Sequence, residues 1–414
     1  MRTRVILAAL IICCASISFL SEPGIIKPFL YILLAFSALT SKEGLRNYFF
    51  RRQDFFFWAY IILLSLGILN APKQIIALRY YRDFSLCAAA LYFVCRNEIN
   101  NRTIWVILFT FTLCASIVAI IGILECLLHR NIIYEYWVNN SFYHRYLGYG
   151  RIMSTLVHPN ITGAYLLSCI PCLWLVYTRQ RKALLRAMAW TAFLIVAAAM
   201  LLTYSRGTWI SLVLMLTLWG ILRKKIKYAA WAWLGLAFVI LIASHPSLNS
   251  NESYLARYRL KTLERYFSHS HRALQYKVAS RMISAHPLAG VGLAHYRILF
   301  DKFSSVKLKP ELKTPDSIYL MQLAEAGILA FVAFLLFIVH LGTRAIKTYT
   351  SLPLGEKEPL FIFLMGYAGL LINMGSFDGF LWRTPLYLFW IFAGIIAALS
   401  ERKNNADSHQ SVAV

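Results

Sequence analysis

Long apolar runs, separated by short polar segments, repeat along this chain. Runs of roughly 17–25 apolar residues match the length a helix needs to cross a bilayer. The pattern predicts twelve spans, over residues 5–20, 25–40, 55–70, 79–95, 104–128, 157–177, 184–204, 208–222, 228–244, 317–340, 359–374 and 384–400. The runs lack the alternation over ~10 residues that marks barrel strands, so the expected fold is an all-α polytopic membrane protein. One stretch breaks the rhythm. Residues 245–316 form a long, polar, basic segment between the ninth and tenth spans.

Composition agrees with this pattern: 59% of residues are hydrophobic and 14% charged, more apolar than soluble domains usually are. The net charge of +24 would suggest nucleic acid in a soluble protein. Here much of it follows from the Lys/Arg excess that orients helices in a membrane, and nucleic acid is not an expected partner. With both termini in the cytoplasm, the cytoplasmic segments hold twenty-one Lys/Arg and the short external loops hold few. The 245–316 segment then falls on the periplasmic side with twelve more, together with five acids and five of the ten histidines. Loops beyond about 60 residues cross largely regardless of charge. A cationic loop in that place calls for an anionic partner, and a lipid-linked diphosphate is the first candidate.

The whole chain, 1–414, reads as one membrane domain, with a polar tail at 401–414 expected to be cytoplasmic and disordered. The first run, Val5 to Leu20, has the length of a signal peptide, but no convincing small-residue cleavage site follows, so it reads as the first helix. All eight cysteines lie in or beside apolar runs. Cys169 and Cys172 have redox-motif spacing without the matching context, and they read as small packing residues.

Few residues are placed to do chemistry. Arg206 stands between two apolar runs with almost no loop, beside Gly207. It either faces a cavity or partner at the external surface or snorkels to the interface. Residues 265–285 read as a helix inside the long loop, with Arg265, His269, Arg272 and Tyr276 on one face and Leu274, Val278 and Met282 on another. The basic face suits phosphate oxygens, or else it lies on anionic lipid. Asp316 follows Pro315 at the start of the tenth span, as a helix cap or as a general base. Glu325 lies nine residues deeper, where a carboxylate fixes other groups rather than touching substrate. His286 to Gly292 reads as a tight turn. His158 and Asn160 open the sixth span, either as structure or as lining of the same external cavity. Asp378 and Arg383 sit in the last external turn and are expected to pair. No metal-ligand cluster occurs in the sequence, and no cofactor is expected.

Taken in order, Thr203-Tyr204-Ser205-Arg206-Gly207, Arg272 fifteen residues before Pro287, Pro287-Leu288-Ala289-Gly290-Val291-Gly292, and Asp316-Ser317-Ile318-Tyr319-Leu320 followed by Glu325-Ala326-Gly327 resemble the O-antigen ligase and polymerase family. His158-Pro159-Asn160 is similar to the family's Pro-Asn opening of a middle span. The specific part covers roughly 150–340. The resemblance implies a GT-C-like glycosyltransferase of the bacterial inner membrane. It would transfer a glycan from undecaprenyl diphosphate to an acceptor at the periplasmic face, without metal or nucleotide sugar. The acceptor would be lipid A–core in a ligase and a second lipid-linked glycan in a polymerase. Arg206 and Arg272 match the family's diphosphate-binding arginines. Arg265, His269, His158, Asn160 and Tyr319 are the further expected substrate contacts. Ligases of the family typically carry His where this chain has Asp316, followed by Asn where it has Ser317, and the aspartate looks more like the polymerising relatives. A transporter or flippase of lipid-linked oligosaccharides is the rival reading. It would show paired broken helices and ionisable groups at mid-membrane, whereas these candidates cluster at one face.

Overall fold

The structure, a computed structural model, describes residues 26–41, 44–99, 103–131, 151–156, 158–244, 271–308, 310–353 and 355–401. Among these residues the secondary structure is helical, with no strand. In chain order the helices are α1 (Ile26–Leu39), α2 (Gly44–Phe49), α3 (Phe55–Leu64), α4 (Gln74–Glu98), α5 (Ile104–Leu128), α6 (Pro159–Arg179) and α7 (Ala183–Leu202). They continue with α8 (Arg206–Leu222), α9 (Ile226–Ser244), α10 (His271–Ala285), α11 (Tyr296–Phe303), α12 (Ile318–Ser351), α13 (Lys357–Asn373) and α14 (Arg383–Ser400). Each predicted span from 25–40 onward coincides with a helix; the first, 5–20, lies outside the described residues. Among the described residues, five helices are long and apolar enough to cross a membrane: α5, α6, α7, α12 and α14. α1 and α8 are apolar but shorter.

The helices pack in layers around α6 and α14, both of which are buried on most sides. α6 lies against α5, α7 and α13, while α14 lies against α4 and α13. Small residues set these approaches, as is usual where helices cannot gain from further burial out of water. A methyl group at Gly394 would sit 2.5 Å from the Tyr92 carbonyl, and one at Gly366 2.5 Å from the Ser168 carbonyl. Cys169 and Cys172 are buried within α6, as their packing reading expects. At one end of the bundle the buried Arg96 pairs with the buried Asp54 and donates to the Tyr48 carbonyl. A charge this far from water needs such partners.

α12 is longer than the predicted 317–340 span and continues to Ser351. It also contains a break. Gly327 has φ 76° and ψ 179°, outside the helical region, and the chain resumes as helix after it. The predicted turn from His286 to Gly292 fills that break. Val291 N–H donates to the Ala324 carbonyl at 2.9 Å, Gly292 N–H to the Glu325 carbonyl at 3.1 Å, and Ile328 N–H to the Pro287 carbonyl at 2.8 Å. The groups freed by the break are thus paired within the protein, the condition for irregular backbone in an apolar setting. The approach requires glycine on both sides. A Cβ at Gly290 would lie 2.3 Å from the Glu325 carbonyl and one at Gly327 2.3 Å from the Leu288 carbonyl.

Candidate functional site

The 15-residue α10 carries Arg272 near its start. Its apolar face is buried on protein rather than on lipid. Val278, Ala279 and Met282 pack with Val291, Tyr296, Phe300 and Ala324 in a small core, with Leu274 at its edge, apart from the main one. Each such side chain contributes about 1.5–3 kcal/mol when fully buried. Polar bonds fix the same unit. Gln275 donates to the Leu312 carbonyl at 2.6 Å, and the Tyr296 hydroxyl donates to the Gln275 carbonyl at 2.7 Å. Glu325, buried in α12, accepts N–H bonds from Ala294 at 3.0 Å and Tyr296 at 2.9 Å. It holds the start of α11, as expected for a carboxylate that fixes other groups.

This docking brings Arg272 to the start of α12. Its Nε donates to Asp316 Oδ2 at 2.9 Å. Asp316, read from the sequence either as a cap or as a base, is bonded to this arginine. Ser317 occupies the cap position of α12 with no side-chain cap bond, and the Asp316 carboxylate turns to the arginine instead, where a charge-assisted bond is stronger. Burial raises the Asp316 carboxyl above its usual range. The Arg272 charge opposes this and the nearby Asp378 carboxylate adds to it. Tyr319, one turn on, donates its hydroxyl to the Leu371 carbonyl at 2.7 Å, and Ile318 N–H bonds the Met374 carbonyl. These two bonds tie the start of α12 to the end of α13.

The turn after α13 links the two arginines. Arg272 Nη2 reaches the Ser376 carbonyl at 3.5 Å. On its other side Ser376 lies against Gly207, where an added Cβ would come within 2.1 Å of the Ser376 hydroxyl. Gly207 is the second residue of α8 and Arg206 the first, and Arg206 is exposed. The 203–205 turn that positions Arg206 places Tyr204 at φ 48°, an uncommon conformation for a residue with a side chain. Arg272, bonded to Asp316, and Gly207, the neighbour of Arg206, thus meet at one turn from distant stretches of chain.

His158 and Asn160 lie beside this group. His158 caps α6, its Nδ1 accepting the Asn160 N–H at 3.1 Å. That acceptance requires Nδ1 to carry no proton. Its ring is 5.5 Å from that of Trp382. Asp378 accepts the Trp382 indole N–H at 3.1 Å, and among the described residues it forms no ion pair with Arg383, contrary to the expected pairing. Arg265 and His269 lie outside the described residues.

Arg151 was not singled out from sequence. It donates from Nε to the Thr203 carbonyl at 2.9 Å and from Nη2 to Asn160 Oδ1 at 2.8 Å, joining the 151–156 segment to α6 and to the turn before Arg206. Glu125 anchors that segment by accepting N–H bonds from Met153 and Ser154 at 3.0 and 2.7 Å. An arginine at the edge of a polar stretch gives little signal in a sequence. Ser376 gave none, since its role depends on what lies against it.

Residues 190–335 match the family model described as O-antigen ligase. The match spans Arg206, Arg272, Asp316 and Glu325, and it supports an assignment to the O-antigen ligase and polymerase family. The matched segment contains both the broken helix and the turn that fills it, while Arg151, His158 and Ser376 lie outside it. No curated protein matches the chain.

Proposed function

We propose that this protein is an inner-membrane glycosyltransferase that moves a glycan from undecaprenyl diphosphate to an acceptor at the periplasmic face. The observation that carries this reading is the Arg272–Asp316 pair at the Ser376 turn, against which Gly207, the neighbour of Arg206, also packs. In this reading Arg206 and Arg272 hold the diphosphate. The charge on a leaving diphosphate grows as the glycosidic bond breaks, and cations fixed beforehand in a low-dielectric cavity stabilise that growth. Asp316 fixes the Arg272 guanidinium through Nε, which leaves Nη1, and the Nη2 hydrogen not aimed at the Ser376 carbonyl, to face phosphate oxygens. The same carboxylate is the proposed base for the acceptor hydroxyl. Its raised proton affinity favours that role, since a more basic carboxylate takes a hydroxyl proton more readily. Direct displacement at the anomeric carbon would follow. The hydroxyl oxygen forms the new bond, the diphosphate leaves with the old bonding pair, and the proton passes to Asp316. His158, Asn160 and Tyr319 are proposed to line the cavity for the glycan, with Arg265 and His269 completing the basic face.

Membrane vesicles carrying the chain, supplied with lipid-diphosphate-linked glycan, test the reading. Arg206→Ala and Arg272→Ala are expected to abolish transfer while the protein still reaches the membrane, and near-normal product from either variant removes the diphosphate role. The surface glycan of a deletion strain separates the two subtypes. Complete loss of polymer from the lipid core, with polymer still on its carrier, means a ligase, whereas a single repeat unit left on the core means a polymerase. The one feature that favours a transporter of the same lipid is the break at Gly327. That break is filled by residues 287–292 rather than opening on a cavity, which supports the enzyme.

A further inference from the structure

A second concave site lies at the far end of α12 from Arg272 and Asp316. His340 and Arg344 lie 22 and 26 residues beyond Ile318, about 33–39 Å of helix at 1.5 Å per residue. This approximates the thickness of the hydrocarbon core, ~30 Å. From Ala326 to Thr343 the helix carries no Asp, Glu, Lys or Arg, so Arg344 marks the level where the apolar span ends. At that level a groove of about 920 Å³ opens between α12 and the start of α3.

The groove has two different surfaces. Its wall is apolar, formed by Phe55, Phe56, Trp58 and Ile62. Phe55 and Ile62 are 66% and 62% exposed, and such large side chains at this level suit contact with acyl chains. Its rim is cationic, formed by Arg52 and Arg344 with His340 between wall and rim. His340 and Arg344 are one turn apart on α12, and the His340 ring lies 5.0 Å from that of Phe56.

The partners around the rim decide what fits. Arg51, the third arginine lining the groove, is committed to Glu401, to Asn97 at 3.0 Å and to the Asn47 carbonyl at 3.1 Å. Glu401 also accepts from Gln53. Among the described residues, Arg52 and Arg344 make no hydrogen bond or ion pair, and His340 Nε2 is a buried nitrogen with no hydrogen-bond partner. Glu401 is thus held by Arg51 and Gln53, and the buried Asp54 by Arg96, which leaves two guanidinium groups and an imidazole without a bonded partner over an apolar wall. Two arginines alone would fit any snorkelling pair. Two arginines above an aromatic groove fit a molecule with a phosphate at one end and hydrocarbon at the other.

We propose that this groove binds one anionic phospholipid of the surrounding bilayer. The headgroup phosphate lies between Arg52 and Arg344, and an acyl chain lies along Phe55, Phe56 and Ile62. The site is separate from the one proposed for catalysis, and it does not depend on the chemistry assigned there.

Full-length protein purified in detergent and delipidated is titrated with phosphatidylglycerol, phosphatidylcholine or inorganic phosphate, and bound lipid is read by native mass spectrometry. Phosphatidylglycerol is expected to bind at least tenfold more tightly than phosphatidylcholine. Inorganic phosphate at the same concentration should not displace it, because the acyl chain supplies part of the affinity. Arg52→Gln with Arg344→Gln is expected to remove that preference. Phe55→Ser with Ile62→Ser is expected to weaken both lipids while leaving any preference for the anionic one. Equal binding of the two lipids to the unaltered protein overturns the proposal, as does an unchanged preference in the double arginine variant or displacement by phosphate alone. Thermal unfolding of each variant without lipid separates loss of the site from loss of the fold.

Discussion

Arg272 and Asp316 are 44 residues apart in the chain, yet the guanidinium Nε donates to the carboxylate at 2.9 Å. The pair is formed by docking α10 on α12 through a small apolar core, and it points the arginine at the turn that carries Ser376. An arginine held in this way gives up less side-chain freedom when it meets a phosphate, because its orientation is already fixed.

Arg272→Lys is expected to fall at least a hundredfold in transfer rate, close to Arg272→Ala. A lysine keeps the charge but cannot bond the carboxylate through one nitrogen and a phosphate through two others. Loss of one preorganised donor commonly costs 10²–10³ in rate. Initial rates of glycan transfer in vesicles, normalised to protein in the membrane, decide this. Near-normal activity in the lysine variant means that charge alone suffices.

Asp316→Asn separates activity from stability. The carboxyl is raised in the folded protein, chiefly by burial. A group whose folded value lies above its unfolded value contributes stability below the unfolded value, and that contribution is lost as pH rises through the folded one. The protein is therefore expected to lose stability from this group as pH rises from about 4. Asp316→Asn should flatten that part of the profile while transfer drops. Thermal unfolding across the acidic range, beside activity at neutral pH, provides the comparison. An unchanged slope in the variant shows that Asp316 does not set it.

Gly207→Ala is expected to impair activity, and Ser376→Gly is expected to restore much of it. The added methyl would meet the Ser376 hydroxyl at 2.1 Å and its Cβ at 3.0 Å. Removing the Ser376 side chain clears both contacts, so the two changes should be strongly non-additive. Additive losses in a double-mutant cycle of transfer rates contradict the contact between α8 and the 374–378 turn.

Glu325→Ala and Gly327→Ala are both expected to destabilise the protein, for different reasons. The first removes the acceptor of two buried backbone N–H groups, at a cost of about 1–3 kcal/mol for each one left unpaired. The second forces a methyl group to within 2.3 Å of the Leu288 carbonyl, at a backbone angle suited to glycine. Lower unfolding temperatures, together with faster proteolysis near residues 286–296, are the expected readout. Wild-type stability in either variant argues against the filled break in α12.

Arg151→Ala is expected to reduce transfer while leaving most of the bundle intact. It removes two charged hydrogen bonds, each worth roughly 1.5–3 kcal/mol, between the 151–156 segment, Asn160 and the Thr203 carbonyl. The effect should reach the reaction through the position of Arg206. A rise in the donor KM with protein level unchanged is the signature to measure.

The helices were legible in the sequence because apolar runs of spanning length fix their own backbone bonds wherever they sit in the membrane. Leu274, Val278 and Met282 likewise announced the buried face of α10 by their spacing. The boundaries were less legible. α12 continues to Ser351 because Arg344 and Lys347 remain helical after the apolar run has ended. The partner of Asp316 is one no local pattern carries, since the arginine that meets it arrives from 44 residues away. Asp378 behaves similarly, binding Trp382 rather than the nearby Arg383.

The sequence by itself determined the all-α class, the basic segment before Asp316 and a short list of candidate side chains. Each of these follows from composition and spacing within one stretch of chain. Only the tertiary structure decided which of those side chains meet. Two glycine-rich motifs, at 287–292 and 325–327, proved to be halves of one joint, with the turn supplying the hydrogen bonds that the broken helix gives up. That joint carries α10 to α12 and so brings Arg272 to Asp316. Pairing of this kind depends on backbone groups and on the space a missing side chain leaves, and neither is written in the identity of any single residue.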